Sequence, residues 1–240
     1  MSRLDFELAA RSIVKSRNVA GQLIKDGVVF VNGRSVTKAS FNVEETDDIE
    51  IKGELPRYVG RGGIKLEKAI ECFNIGLGGC VCIDVGASTG GFTDCMLQNG
   101  AERVYAVDVG NGQLDEKLKS DIRVISLENT DIREACGKIS EKADFITVDV
   151  SFISLKLVLP EIKKLLKDSG TAVALIKPQF EVGKNGIGKR GVVKNPSLRE
   201  KAVREIKDFS EGIGFKCRGL IQSPIAGGDG NIEYLIYLSF

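Results

Sequence analysis

Apolar positions along the chain change their spacing near residue 60. Before that point Val19, Leu23 and Ile24 keep helical spacing, and Val28-Val29-Phe30-Val31 reads as a strand. Ser2 is the expected cap of a first helix running through about Val14, and Ser16 that of a second. Gly27 suits the second helix's end, where the chain turns into positive φ. Asn32-Gly33 predicts a hairpin turn, because both central residues of that turn need positive φ. Ile49-Glu50-Ile51 reads as another short strand. Residues 1–55 therefore predict a small α+β unit, and 56–62, with Pro56 and Gly60-Arg61-Gly62, a linker.

From 63 to 240 short apolar runs alternate with helical spacing. The expected strands are Val81–Val85, Val104–Val109, Val124–Leu127, Phe145–Val150, Ala172–Ile176, Lys216–Ile221 and Glu233–Phe240. The expected helices are Lys65–Phe73, one opening near Gly91, Leu155–Lys167 and Ser197–Phe209. That alternation predicts a doubly wound α/β domain with a mostly parallel sheet. Only a loop with Pro224 and Gly227-Gly228 joins the last two strands, too short for a helical crossover, so the last strand is expected to run antiparallel.

Composition narrows the chemistry. The chain has no histidine, which removes every imidazole base, Ser-His-Asp or Cys-His pair and His metal ligand, and leaves acid–base work to Lys, Asp, Glu, Tyr or Cys. Six cysteines form no C-x-x-C pair, so no metal site is expected, and they read as reduced thiols of a cytoplasmic protein. The opening Met1-Ser2-Arg3-Leu4-Asp5-Phe6-Glu7 is charged and unlike a signal peptide. No apolar run approaches the roughly 18 residues that cross a bilayer, so no membrane partner is expected.

Basic residues number 34 against 33 acids, a net charge of +1, so the distribution of charge carries the information. Arg3, Arg11, Lys15 and Arg17 lie in a basic stretch that fits a phosphate-contacting face or a solvated amphipathic one. A second basic stretch runs from Lys184 to Arg204, with Lys184, Lys189 and Arg190 in a glycine-rich loop just after an expected strand exit. Its position favours contact with nucleic acid phosphates.

Candidate chemistry sits at the expected strand ends. Asp84-Val85-Gly86-Ala87-Ser88-Thr89-Gly90-Gly91-Phe92-Thr93 follows the first strand of the sheet and opens a helix, a nucleotide-type loop in which glycines let backbone approach a ligand. Ser88 stands where a dinucleotide fingerprint needs its second glycine, which argues against pyrophosphate and an NAD-dependent oxidoreductase. S-adenosylmethionine has no phosphate, and its amino-acid end suits the loop. The candidate cofactor set is Asp84, Gly86, Ala87, Ser88, Thr89, Gly91, Phe92, then Asp108 at the next strand end for a ribose, and Asp131. Asp131 fits an adenine contact and a helix N-cap equally. Asp149-Val150-Ser151-Phe152 is not the N/D-P-P-Y/F type that holds an exocyclic nitrogen, and no Pro-Cys pair is present for methylation at carbon, so a hydroxyl acceptor is expected. Lys177 follows the apolar run Ala172–Ile176, a costly place for a charge that no site uses.

Two resemblances tie these readings together. Arg3-Leu4-Asp5, Lys15-Ser16-Arg17, Ala20, Leu23-Ile24, Gly27 and Val31-Asn32-Gly33 resemble the S-four RNA-binding domain. Along the whole chain, Arg61-Gly62-Gly63-x-Lys65-Leu66, Asp84-x-Gly86-Ala87-Ser88-Thr89-Gly90-Gly91-Phe92, Asp149-Val150-Ser151-Phe152-Ile153-Ser154, Lys177-Pro178-Gln179-Phe180-Glu181 and Gly230-Asn231-x-Glu233 resemble the TlyA family. The resemblance implies an S-four domain joined to an FtsJ-like, Rossmann-like class I methyltransferase. It implies a catalytic set of Lys65, Asp149, Lys177 and Glu233, with Lys177 as general base or orienter. It also implies S-adenosylmethionine as cofactor and ribosomal RNA, or ribosomal subunits, as partner, methylated at a ribose 2′-oxygen, typically of cytidine. Two other classes stand beside it: a non-catalytic RNA-binding assembly factor, against which the intact set argues, and a haemolysin, for which no apolar span is present. Oligomeric state is left open.

Overall fold

The computed structural model describes all residues except 15, 16, 26, 54, 55, 184, 185, 189 and 190, and the side chain of residue 18. The described chain divides into two units, Met1–Arg57 and Tyr58–Phe240.

The first unit contains β1 (Ser2–Arg3), α1 (Leu4–Ala10), α2 (Arg17–Lys25), β2 (Val29–Val31), β3 (Arg34–Ser35), β4 (Asn42–Val43) and β5 (Ile49–Ile51). Its core is made by Leu4, Leu8, Leu23, Ile24, Val29, Val31 and Val43. The expected turn forms, with Asn32 at φ 49° and Gly33 at φ 76° joining antiparallel β2 and β3. Gly27 ends α2 as expected, its N–H donating to Ile24 O and that of Val28 to Leu23 O. The start differs from expectation. Ser2 lies in a strand paired with Val43, and its hydroxyl donates to Glu7, so it does not cap α1. Nor does α1 reach Val14: Ser12 takes φ 57°, and the N–H groups of Ile13 and Val14 fold back onto Leu8 O. The expected cap Ser16 lies outside the described residues.

The second unit is a seven-stranded sheet between two helical layers. Its elements are α3 (Gly62–Phe73), β6 (Val81–Val85), α4 (Gly91–Gln98), β7 (Arg103–Val107), α5 (Glu116–Lys119), β8 (Val124–Leu127), α6 (Ile132–Ala135), β9 (Ala143–Val148), α7 (Leu155–Leu165), β10 (Leu166–Ile176), α8 (Pro178–Glu181), α9 (Pro196–Gly212), β11 (Lys216–Gln222) and β12 (Tyr234–Ser239). Side chains alternate across the strands. Ile83 and Val85 enter the core beneath α6, α7 and α9, while Cys82 enters the one beneath α3, α4 and α5. The single-turn helices α5, α6 and α8 have no counterpart in the sequence expectation, since one turn is too short to show a period.

Strand order is β11-β12-β10-β9-β6-β7-β8, with every adjacent pair parallel except those of β12. The expected antiparallel last strand is therefore present, inserted between β11 and β10. The order reverses between β6 and β9: from β6 the chain moves to β7 and β8, then returns to β9 on the other side. Loops leaving β6 and β9 in opposite directions open a crevice at their carboxyl ends, the place where such sheets bind ligands. Because β12 runs backwards, its beginning reaches that same edge, with Tyr234 opposite Ile176. Residues just before β12 therefore meet those just after β10.

Candidate active site

The loop after β6 turns through Gly86 (φ 85°), Ser88 (φ 48°) and Gly90 (φ 93°) into α4. Gly86 passes so close to the loop after β9 that a Cβ would collide with the carbonyl oxygen of Asp149. A Cβ on Gly60 would lie 2.6 Å from Thr89 Oγ1, and one on Gly91 would lie 2.9 Å from Gly60 O. Glycine at these positions lets two loops and the segment before α3 share one narrow place.

The cofactor candidates divide into two groups. Ser88 is exposed, and its N–H donates to Asp108 Oδ2 at 2.7 Å, while Asp108 Oδ1 accepts the Gly110 N–H at 2.7 Å. Gly86, Ala87, Ser88, Thr89 and Asp108 thus line the exits of neighbouring strands β6 and β7. Asp84 and Phe92 point inward instead. Phe92 packs in the core beneath α3 and α4. Asp84 is fully buried, with Thr93 Oγ1 donating to it at 2.7 Å and Thr147 Oγ1 at 2.9 Å. These bonds tie β6 to α4 and β9, so Asp84 fixes the loop from beneath. Burial pushes its carboxyl up to about 6, against the pull of the threonine hydroxyls. Asp131 is the N-cap of α6, accepting the Arg133 N–H at 2.9 Å. The Arg133 side chain and that N–H hold its carboxyl down at about 2. Of the two roles left open for Asp131, the capping role is occupied.

The four candidate catalytic residues form two ion pairs. Lys65, in the first turns of α3, is 8% exposed and donates to Glu233 Oε2 at 2.6 Å. Glu233 is 2% exposed and sits one residue before β12. Gly227 folds over it so tightly that a Cβ would strike Oε1. A buried pair such as this gains little stability, because desolvating two ions offsets their attraction. Lys177 and Asp149 form the second pair, 2.6 Å apart, just beyond the ends of β10 and β9. Lys177 Nζ also donates to Ser151 Oγ at 3.0 Å. Asp149 Oδ1 is buried against the Lys177 ammonium, which is its charged partner.

Beside this pair the backbone is strained. Phe152 takes φ 64°, a conformation that bulky residues rarely adopt, and its ring is 92% exposed. Phe180 lies against it at 5.1 Å between ring centres, tilted by 50°. Three further residues at this edge had no assigned role in the sequence reading. They are Ser151, Glu181 and Asn231, whose amide accepts the Val193 N–H and donates to Gly191 O, each at 3.0 Å. All three fall inside the motif segments, which was the available signal.

The basic candidates are less uniform. Arg11 turns inward, donating to Glu7 at 2.8 Å and to the carbonyls of Asp47, Glu44 and Glu45 at 2.9–3.1 Å. Arg3 and Arg17 converge on Asp5 at 2.9 and 3.1 Å while keeping about half of each side chain exposed. Lys15, Lys184, Lys189 and Arg190 lie outside the described residues.

Residues 58–240 match the FtsJ-like methyltransferase family, and residues 2–49 match the S4 domain. A Bacillus subtilis protein named as an rRNA methyltransferase, YqxC, is 44% identical over 98% of this chain and 85% of its own length. The 16S/23S rRNA (cytidine-2'-O)-methyltransferase TlyA of Mycobacterium tuberculosis is 40% identical over 99% of this chain and 89% of its own. A solved structure from Streptococcus thermophilus, described as a hemolysin, is 44% identical, covers 98% of this chain and 87% of that one, and superposes with a TM-score of 0.79. The chain belongs to the TlyA family of FtsJ-like methyltransferases.

The buried Asp84 makes stability depend on pH. Its folded value of about 6 exceeds the ordinary 3.8, so the stability it contributes is full below 3.8 and is lost as pH rises through 6. Asp84→Asn removes that titration. Urea unfolding should show the variant gaining on wild type between pH 4 and 7 by about 1–3 kcal/mol. A difference independent of pH would contradict the assignment.

Proposed function

We propose that this member of the family transfers the methyl group of S-adenosylmethionine to a ribose 2′-hydroxyl of ribosomal RNA, at cytidine as in the Mycobacterium tuberculosis relative. The observation that carries the reading is the Lys177–Asp149 ion pair, 2.6 Å apart, at the strand exits beside the glycine loop.

The residues present fit the cofactor. Gly86, Ala87, Ser88, Thr89 and Gly91 would hold its amino-acid end, and Asp108, just beyond β7, would take its ribose hydroxyls. Ser88 in place of a glycine is no obstacle, because no pyrophosphate has to approach. When bound, S-adenosylmethionine supplies an electrophilic sulfonium methyl.

The chain's own groups do the rest. The Asp149 carboxylate accepts the 2′-hydroxyl hydrogen bond and is first in line for the proton released as the oxygen–carbon bond forms. Lys177, held on Asp149 and Ser151, serves as orienter, fixing the carboxylate and placing positive charge beside the reacting oxygen. Lys65 and Glu233 form the second wall, Glu233 keeping the Lys65 ammonium in place where water is excluded. Phe152, exposed and backed by Phe180, offers a face on which the target base stacks. Arg3 and Arg17 of the S4 domain, with the stretch containing Lys184, Lys189 and Arg190, contact phosphates. Among the described residues no helix is long and apolar enough to cross a membrane, and no cluster of metal-binding side chains occurs.

Transfer of labelled methyl from S-adenosylmethionine to unmodified ribosomal subunits tests this directly. Wild type should label a subunit's RNA, and Lys177→Ala should lose at least about 100-fold in rate. Phe152→Ala should retain chemistry but lose roughly 5- to 100-fold in kcat/KM, the worth of one stacked base. A folded, cofactor-binding wild type that labels neither subunit would overturn the ribosomal assignment.

A further inference from the structure

Lys177 and Asp149 stand just beyond the ends of two adjacent strands. The one-turn helix α8 follows Lys177, and an irregular loop containing the strained Phe152 follows Asp149. Five residues after Asp149, Ser154 caps α7. Four residues after Lys177, Glu181 ends the one-turn α8. These two positions also meet. Ser154 Oγ donates to Glu181 Oε2 at 2.6 Å, and the Leu155 N–H donates to Glu181 Oε1 at 2.9 Å. Ser154 Oγ in turn accepts the Lys156 N–H at 3.2 Å as the cap of α7.

Both Glu181 oxygens are thereby committed to the first turn of an eleven-residue helix, where free N–H groups and the helix dipole favour negative charge. Bonds to an ionised acceptor are the strong kind. The consequence is a ladder of two rungs between the strand exits. The Lys177–Asp149 pair is the inner rung and Glu181–Ser154 the outer one. With both ends of the segment 149–154 tied, Phe152 is held at its unfavourable φ and the Asp149 carboxylate cannot swing from Lys177.

We propose that Glu181 is a positioning residue for methyl transfer, a latch that holds the Asp149–Ser154 loop in register with Lys177. It touches neither cofactor nor the reacting hydroxyl and acts through Asp149, Lys177 and Phe152. The proposal rests on the 2′-hydroxyl reading of the same site.

Its test uses the full chain, wild type, Glu181→Ala and Glu181→Gln, with three readouts. Removing the latch should speed amide hydrogen exchange at residues 151–155 by about tenfold or more, the worth of a lost charged hydrogen bond. The kcat for subunit methylation should fall about 100-fold, the effect of a misplaced catalytic group. The dissociation constant for S-adenosylmethionine should stay within about twofold, because the loop after β6 is untouched. Glu181→Gln keeps an acceptor for Leu155 and should recover most of the rate, which general damage to the fold would not allow. Unchanged exchange, or a Glu181→Ala rate within about threefold of wild type, would overturn the proposal. So would a loss that appears equally in cofactor affinity. A wild type that methylates nothing would strike at the parent reading instead, and exchange alone would then decide the latch.

Discussion

The reversal of strand order between β6 and β9 is the constraint on which the rest of the catalytic unit depends. It opens the sheet edge at one place, and Gly86 lets the two loops close there until backbone meets backbone at Asp149. The loops after β6 and β9 then face each other with no intervening layer. The antiparallel β12 completes the arrangement by delivering Glu233 beside the exit of β10. Two lysine–carboxylate pairs result, each built from residues far apart in the chain.

On the proposed reading, these pairs serve a hydroxyl acceptor in a chain without histidine. The sulfonium donor is reactive, so the site's task is mostly placement. Placement requires rigidity, and the structure supplies it with buried polar contacts. Asp84 is fastened by two threonines, Glu233 is paired to Lys65, and the loop carrying Asp149 is tied at both ends. None of these groups is cheap to bury, and their concentration at one edge marks where stability has been exchanged for geometry.

Much of the architecture was legible beforehand because it rests on local signals. Asn32-Gly33 forms the expected turn, and period-2 and period-3.6 patterns locate all seven strands of the main sheet to within a few residues at most of their ends. Lys177 was visible as a charge following five apolar residues. The other members needed the family resemblance, since Lys65 and Glu233 alone look like surface charges. What escaped notice depends on partners 26 to 40 residues away: Ser151 on Lys177, Glu181 on Ser154 and Leu155, Asn231 on Gly191 and Val193. Such pairings are set by the sheet's register and leave no periodicity. Arg11 shows the converse, a charge in a basic stretch whose donors are used on internal carbonyls.

On the proposed reading the Lys177–Asp149 pair addresses a ribose hydroxyl and not a base. Alkaline hydrolysis of RNA labelled by the enzyme separates the two most directly. Alkali cleaves the chain through the free 2′-hydroxyl, so a methyl on that oxygen protects the neighbouring phosphodiester. Label on the 2′-oxygen is expected in an alkali-stable dinucleotide. Label recovered in mononucleotides would place the methyl on a base and contradict that reading.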